Sequence, residues 1–276
     1  YEICSRDWSS DVCSSDLPDP LQPPGRLAGA GLAHAGGAVG GGGGLSGVEI
    51  AAAMAEYSER FFKIGGYACG GISIYLVEAA PTILNGLDKF LIEKSKKRLE
   101  ELGVTIITGD KILKVEEHTV LLGSGKAIPM NFMIWTGGIE VRRIEGDGFS
   151  YNQRGQLKID EYCRAIGFQN VFAIGDCAEI VNTSGKILAP TAMVAEFSAD
   201  IAGYNVMASI EGKGLKKIEF DLPGILVALG GFYTIGIIYK IKIGGIIGYL
   251  AKKAVSHMYK WPLTLKCKQS LLKSCK

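Results

Sequence analysis

Residues Ala38 to Tyr57 read AVGGGGGLSGVEIAAAMAEY. A glycine run of this kind is either a linker or a turn, and the residues on its C-terminal side decide between them. Gly42, Gly44 and Gly47 satisfy the spacing G-x-G-x-x-G. The next segment, GVEIAAAMAEYSERFF, is built of strong helix formers, with Val48, Ala51, Ala52 and Ala55 close to a 3.6-residue period. Beyond it, GISIYLVEA is β-branched and aromatic and closes on Glu78. Ahead of the glycines, Ala38 and Val39 are the only apolar strand residues.

Turn, helix, strand and acid in this order predict a βαβ unit that binds a dinucleotide. Gly42 then makes the tight turn, Gly44 lets backbone N–H groups approach a pyrophosphate, and Gly47 lets helix and strand pack closely. The helix N-terminus faces the anion. Glu78 is expected to accept hydrogen bonds from the adenine ribose hydroxyls. A carboxylate there repels a 2′-phosphate, so NADH is expected over NADPH. The interval from Gly47 to Glu78 is about ten residues longer than usual, and KIGGYACGG reads as the extra loop. Two rival motifs fail. GSGKAI has Val120 where a P-loop needs glycine and Ala127 where it needs Ser or Thr, and GLSGV is not a nucleophile elbow.

The pattern continues as alternating α/β. DKFLIEKSKKRLEELG is an amphipathic helix closed by Gly103, and VTIITG is a third strand. KILKVEEHTVLLGSGKAIP reads as a β-meander. NFMIWTGG is a strand ending in Gly137 and Gly138, where a backbone must pass close to something.

Composition sets outer limits. The chain has 276 residues, 47% of them hydrophobic, 38 glycines and a net charge of +2. After Asp221 there is no acidic residue, while nine lysines lie beyond it: Lys240, Lys242, Lys252, Lys253, Lys260, Lys266, Lys268, Lys273 and Lys276. That asymmetry points to an anionic partner. Cys4, Cys13, Cys69, Cys163, Cys177, Cys267 and Cys275 include no C-x-x-C pair, which predicts reduced thiols. The histidines, His34, His118 and His257, share no metal-like spacing with them, so no metal is expected. Residues 1–37, with the echo SSDVCSSDL, carry no helix or strand period and no signal-peptide core. They read as a disordered leader or as non-native sequence, because the SSD repeat resembles translated sequencing adaptor.

A second signature lies downstream. VFAIGDCA places Gly175 and Asp176 after a short apolar stretch read as a strand, and LAPTAMVAEFSADIAGYNVMASI then runs as a helix from Pro190 and Thr191. VFAIGDCA resembles the second flavin motif of the two-dinucleotide-binding-domain flavoproteins. The order GGGLSGVEI, LVEA, IWTGG, VFAIGDCA, PTA is similar to that of the type II, non-proton-pumping NADH dehydrogenases, over roughly residues 38 to 260. The resemblance implies that Asp176 bonds the ribityl chain of FAD and that Gly175 admits the diphosphate. It implies that the helix starting at Thr191 and Ala192 points its N-terminus at the flavin pyrimidine. Glu49 becomes a candidate for proton relay at the nicotinamide–flavin junction.

Two departures stand out. The family carries an earlier FAD-binding G-x-G-x-x-G, and none is found here, so the chain reads as the C-terminal part of a longer enzyme. The family's A-Q-x-A-x-Q quinone pattern is replaced in TAMVAEFSAD, where Met193 and Phe197 take the places of the glutamines.

The tail LPGILVALGGFYTIGIIYKIKIGGIIGYLAKKAVSHMYKW is apolar and basic. Leu222 to Tyr239 is long enough to span a membrane, but Gly224, Gly230, Gly231, Gly236 and the β-branched residues favour a hairpin. GIIGYLAKKAVSHMYKW reads as an amphipathic helix for a membrane surface, with Tyr249, Tyr259 and Trp261 at the interface.

The expected fold class is α/β: a Rossmann-like NAD(P)-binding domain over 38–140 and the C-terminal half of an FAD-binding domain over 141–212. A membrane-association or dimer segment is expected over 213–276. By resemblance the activity is hydride transfer from NADH to FAD and then electron transfer to a quinone. The alternatives are a flavin reductase with a soluble acceptor and an inert NADH-binding fragment. A homodimer peripheral to the cytoplasmic face of the cell membrane is expected, without nucleic acid.

Overall fold

The computed structural model describes residues 37–64, 72–143 and 146–274, the last with backbone alone at 259 and 262–274, as also at 61–64. Most of the leader, all of the KIGGYACGG loop after its first two residues, His34 and Cys4, Cys13, Cys69 and Cys275 lie outside the described residues.

The glycine run is the end of a strand. β1 (Gly37–Gly41) extends through Gly40 and Gly41 even though only Ala38 and Val39 carry apolar side chains. It is held from both sides, by β2 (Ser73–Glu78) and by β7 (Phe132–Trp135), both parallel to it. Backbone hydrogen bonding to two neighbours supplies what the glycines' poor strand propensity lacks. α1 (Leu45–Ile64) links β1 to β2, and α2 (Lys89–Glu101) links β2 to β3 (Val104–Thr108). Asp88 caps α2 by accepting from Phe90 N at 2.8 Å. The sheet order is β3-β2-β1-β7, and β4 (Ile112–Val115), β5 (Thr119–Leu122) and β6 (Ala127–Pro129) form the expected antiparallel meander inserted before β7.

Two apolar layers flank this sheet. Val39 and Val77 pack with Val120, Leu122 and Ile128 of the meander. On the other face Ala38, Leu76, Val48, Ala52 and Leu99 form one cluster with Val227, Leu229 and Ile235. The last three belong to the tail, so β10 (Gly224–Ala228) and β11 (Thr234–Ile238) are a hairpin built into the core of the first unit. Each fully buried Leu there contributes roughly 1.5–3 kcal/mol. β12 (Ile241–Ile243) extends the hairpin, and α4 (Gly245–Ser274) leaves it as a helix continuing through Pro262. No helix among the described residues is long and apolar enough to cross a membrane.

The second unit is smaller. β8 (Leu157–Lys158) pairs with β9 (Ala178–Glu179), and both lie near α3 (Ala192–Glu211), with Leu157, Ala178, Val194 and Ala202 in one cluster. Asn205 on α3 is fully buried and satisfied, donating to Tyr162 O and Lys216 O and accepting from Lys216 N at 2.7 Å. The expected strand at VFAI is not one. Phe172 makes a single isolated bridge with Arg164, and Ala173 N donates to Cys163 O. The segment is extended and bonded along one edge, with no second strand beside it among the described residues to complete a ladder.

Candidate functional site

Gly42 has φ +108°, a conformation that suits only glycine, and a side chain there would strike Thr136 O at 2.5 Å. Its own N–H donates to Val77 O at 2.8 Å. Gly43 is gripped at both ends: its N–H donates to Glu78 Oε2 at 2.6 Å, and its carbonyl accepts from Leu84 N at 2.7 Å. Leu84 is buried and takes φ +49°, a strained conformation for a side-chain-bearing residue. Glu78 Oε1 accepts from Ala80 N at 2.7 Å. A side chain at Gly47 would overlap Gly42 O, so close packing of α1 on the turn excludes one.

The amides of Gly42 and Gly43 are therefore engaged within the turn. Donors for a ligand begin with Gly44 and the first turn of α1, ahead of its first bond, Val48 N to Gly44 O at 3.0 Å. Gly44 is exposed, and a Cβ built on it meets nothing within 4 Å. It faces a cleft of about 290 Å³ whose lining also includes Gly42, Glu78, Asp110, Lys111 and Trp135. Gly137 and Gly138 line it too. What approaches Gly137 most closely is the Trp135 ring, 2.6 Å from where its Cβ would stand, whereas Gly138 has φ +115° and open space.

Glu49 lies apart from the lining of this cleft. One carboxylate oxygen accepts from Ala228 N at 2.8 Å and from Lys252 Nζ at 2.5 Å, with both side chains 33% exposed. It ties the first turns of α1 to the hairpin and to α4. Lys252, expected at a membrane surface, is thus committed inward, while Lys253 is exposed with its ammonium over the Tyr249 ring.

The second motif gathers Gly175, Asp176, Thr191 and Ala192 around the start of α3. Gly175 is buried with φ +62°, its N–H donates to Ser198 Oγ at 3.1 Å, and a side chain would meet Ala195 Cβ at 3.3 Å. Its left-handed backbone, together with close packing on α3, accounts for this glycine. Asp176 is exposed on a 3₁₀ turn (Gly175–Cys177), and its carboxylate has no partner among the described residues. Thr191 is the N-cap of α3, accepting from Val194 N at 3.3 Å, and Ala192 is exposed. Phe197 rests edge-on against Phe220, at 5.2 Å between ring centroids. Cys163 and Cys177 are free thiols. Burial, with a smaller push from Asp160, raises the Cys163 thiol to about 11, so it stays protonated and inert.

Sequence reading missed Trp135, Thr136, Asp110 and Lys111 as cleft residues. Thr136 Oγ1 lies 3.0 Å from both Gly41 O and Gly42 O. The one available signal was position: Trp135 ends, and Thr136 follows, the strand that lies beside β1.

Residues 38–196 match the profile of the family described as pyridine nucleotide-disulphide oxidoreductase. The chain is 28% identical to a type II NADH:quinone oxidoreductase of Haemophilus influenzae over 71% of its own length and 45% of the relative's. It is 26% identical to a probable NADH dehydrogenase of Dictyostelium discoideum, covering 76% and 47%, and 28% identical to a demethylphylloquinone reductase of Synechocystis, covering 80% and 53%. The chain spans about half the length of these curated relatives. Among solved structures, NDH2 of Plasmodium falciparum in complex with NADH superposes with a TM-score of 0.66 at 16% identity, over 82% of this chain and 62% of that one. At that identity the likeness speaks for the fold.

A double-mutant cycle checks the tail's attachment. Glu49→Gln and Lys252→Met are expected to show a coupling energy of about 1 kcal/mol in urea melts, as for a half-buried ion pair. Strict additivity would mean that the contact does not persist in solution.

Proposed function

The chain belongs to the pyridine nucleotide-disulphide oxidoreductase family, and from that premise we propose that it carries the NADH-binding unit and part of the FAD-binding unit of a non-proton-pumping NADH:quinone oxidoreductase. The observation that carries the reading is the open space over Gly44, set between the Glu78 carboxylate and the glycine pair after β7. A pyrophosphate fits where a Cβ would otherwise stand, facing the N-terminus of α1. Each Glu78 oxygen already accepts one backbone N–H, and its remaining lone pairs are available to ribose hydroxyls. Its negative charge disfavours a 2′-phosphate.

The second motif fits a flavin in part. Asp176 offers a carboxylate with free acceptor capacity to a ribityl chain. The N-terminus of α3, from Thr191 and Ala192, offers N–H groups and a positive dipole end to the pyrimidine. When bound, the flavin supplies hydride acceptance from the nicotinamide and two-electron delivery to the acceptor. The chain's own residues bind and orient. Glu49, hydrogen-bonded to Lys252, is the carboxylate of the first α1 turns that can hold or pass a proton.

A quinone acceptor is supported by the names of the relatives. A soluble acceptor is the second reading, favoured by Phe197, which packs on Phe220 and offers no hydrogen bond at a position where the resembled family carries glutamine. The tail suits peripheral attachment to the cytoplasmic face of an anionic membrane, or a homodimer contact. Phe232, Tyr239, Ile241, Ile246, Ile247, Leu250, Met258 and Trp261 are all exposed on the hairpin and α4, and no acid follows Asp221.

Calorimetry with NADH and NADPH tests the cofactor assignment. The wild-type chain is expected to prefer NADH. Glu78→Gln should weaken NADH about tenfold and narrow the preference, because one charge-assisted acceptor is lost. A wild-type chain that binds NADPH as tightly as NADH contradicts the role given to Glu78. Co-sedimentation with vesicles tests the tail. Lys253→Glu should reduce binding to anionic vesicles and leave neutral ones unaffected, and equal binding by both proteins would remove the electrostatic part of the proposal.

A further inference from the structure

Trp135 is 62% exposed at the end of β7, unusual for so large an aromatic surface. It stands in register with Gly41 of β1. A Cβ on Gly41 would lie 2.8 Å from its Cε3, and one on Gly137 would lie 2.6 Å from its Cζ2. Two glycines, one across the sheet and one two residues on, thus provide the seat for the indole. The ring rests on bare backbone there and also lines the cleft that holds Gly44 and Glu78. Neither glycine has a positive φ, so room for the ring, not backbone conformation, is what they provide.

The sheet order fixes which half of a ligand the ring meets. Glu78 ends β2, on one side of β1, and Trp135 ends β7, on the other. A pyrophosphate over Gly44, between them, sends one half of the dinucleotide toward β2 and β3 and the other toward β7. The ribose acid marks the first as the adenosine half. We propose that Trp135 is a positioning residue for the nicotinamide half, its seated indole forming an aromatic wall for that planar ring. The inference rests on the dinucleotide reading of the cleft. Planar heteroaromatic rings stack on such a face with little demand for hydrogen bonding. An indole unable to sink toward the backbone holds that wall at one height.

The test compares two probes on the 276-residue chain: NADH, and ADP-ribose, which keeps the adenosine half and lacks nicotinamide. Trp135→Ala is expected to weaken NADH about tenfold, in line with loss of one stacked ring, and to leave ADP-ribose within about twofold. Trp135→Phe should restore NADH affinity to within about threefold, since a smaller aromatic face remains. NADH should quench tryptophan emission in the wild type more than in Trp135→Phe. Equal weakening of both probes, or no weakening of either, overturns the proposal while leaving the dinucleotide site intact. A wild-type chain that binds neither probe removes the dinucleotide reading itself and this inference with it.

Discussion

Gly43 is held from two directions, its N–H by the Glu78 carboxylate and its carbonyl by the amide of Leu84. Everything in the first unit that bears on ligand binding depends on that grip. It fixes the path of the turn between β1 and α1. With the Gly42 N–H held by Val77 O, it occupies the amides inside the turn, so that the donors left for an anion are those of Gly44 and the start of the helix. It also draws the segment after β2 back over the turn, at the cost of a buried leucine in a left-handed conformation. The acid proposed to read the ribose is then also the acid that shapes the turn. In the proposed role, charge at Glu78 serves selectivity and local structure together.

The tail is bound to the same machinery from the opposite side. Val227, Leu229 and Ile235 lie in the core formed by α1, α2 and the sheet, and Glu49 joins α1 to Ala228 and Lys252. The hairpin is therefore part of the first unit's stability and not an appended device. What remains for a surface partner is the outer face of the hairpin and of α4. Lys252 is withdrawn from it, whereas Lys253 stays exposed.

Local pattern made much of this legible. α1, β2, α2, β3 and the meander arise from periodicity and turn residues, and Asp88 and Gly103 mark the ends of α2 as their chemistry predicts. The tail hairpin was legible from its glycines. The rest depends on neighbours that the fold brings together. VFAI has strand composition, yet a strand needs neighbours, and among the described residues it bridges only to the segment around Arg164. Gly175 reads as a ligand contact, and the fold adds a left-handed backbone there and Ala195 packed against it. Gly137 makes room for Trp135. The Glu49–Lys252 pair spans 203 residues, and no periodicity records such a contact. Trp135 was visible in IWTGG, but only the pairing of Gly41 with Trp135 shows what its ring rests on.

The central claim is that an anion-bearing dinucleotide sits over Gly44, with Gly42 and Gly43 already satisfied. The most direct measurement is the change in backbone amide chemical shifts when NADH is titrated into isotopically labelled chain. The account predicts the largest shifts at Gly44, Leu45 and Ser46, with smaller ones at Gly42 and Gly43. Shifts confined to another face of the molecule, with Gly44 to Ser46 unmoved at saturation, would contradict it.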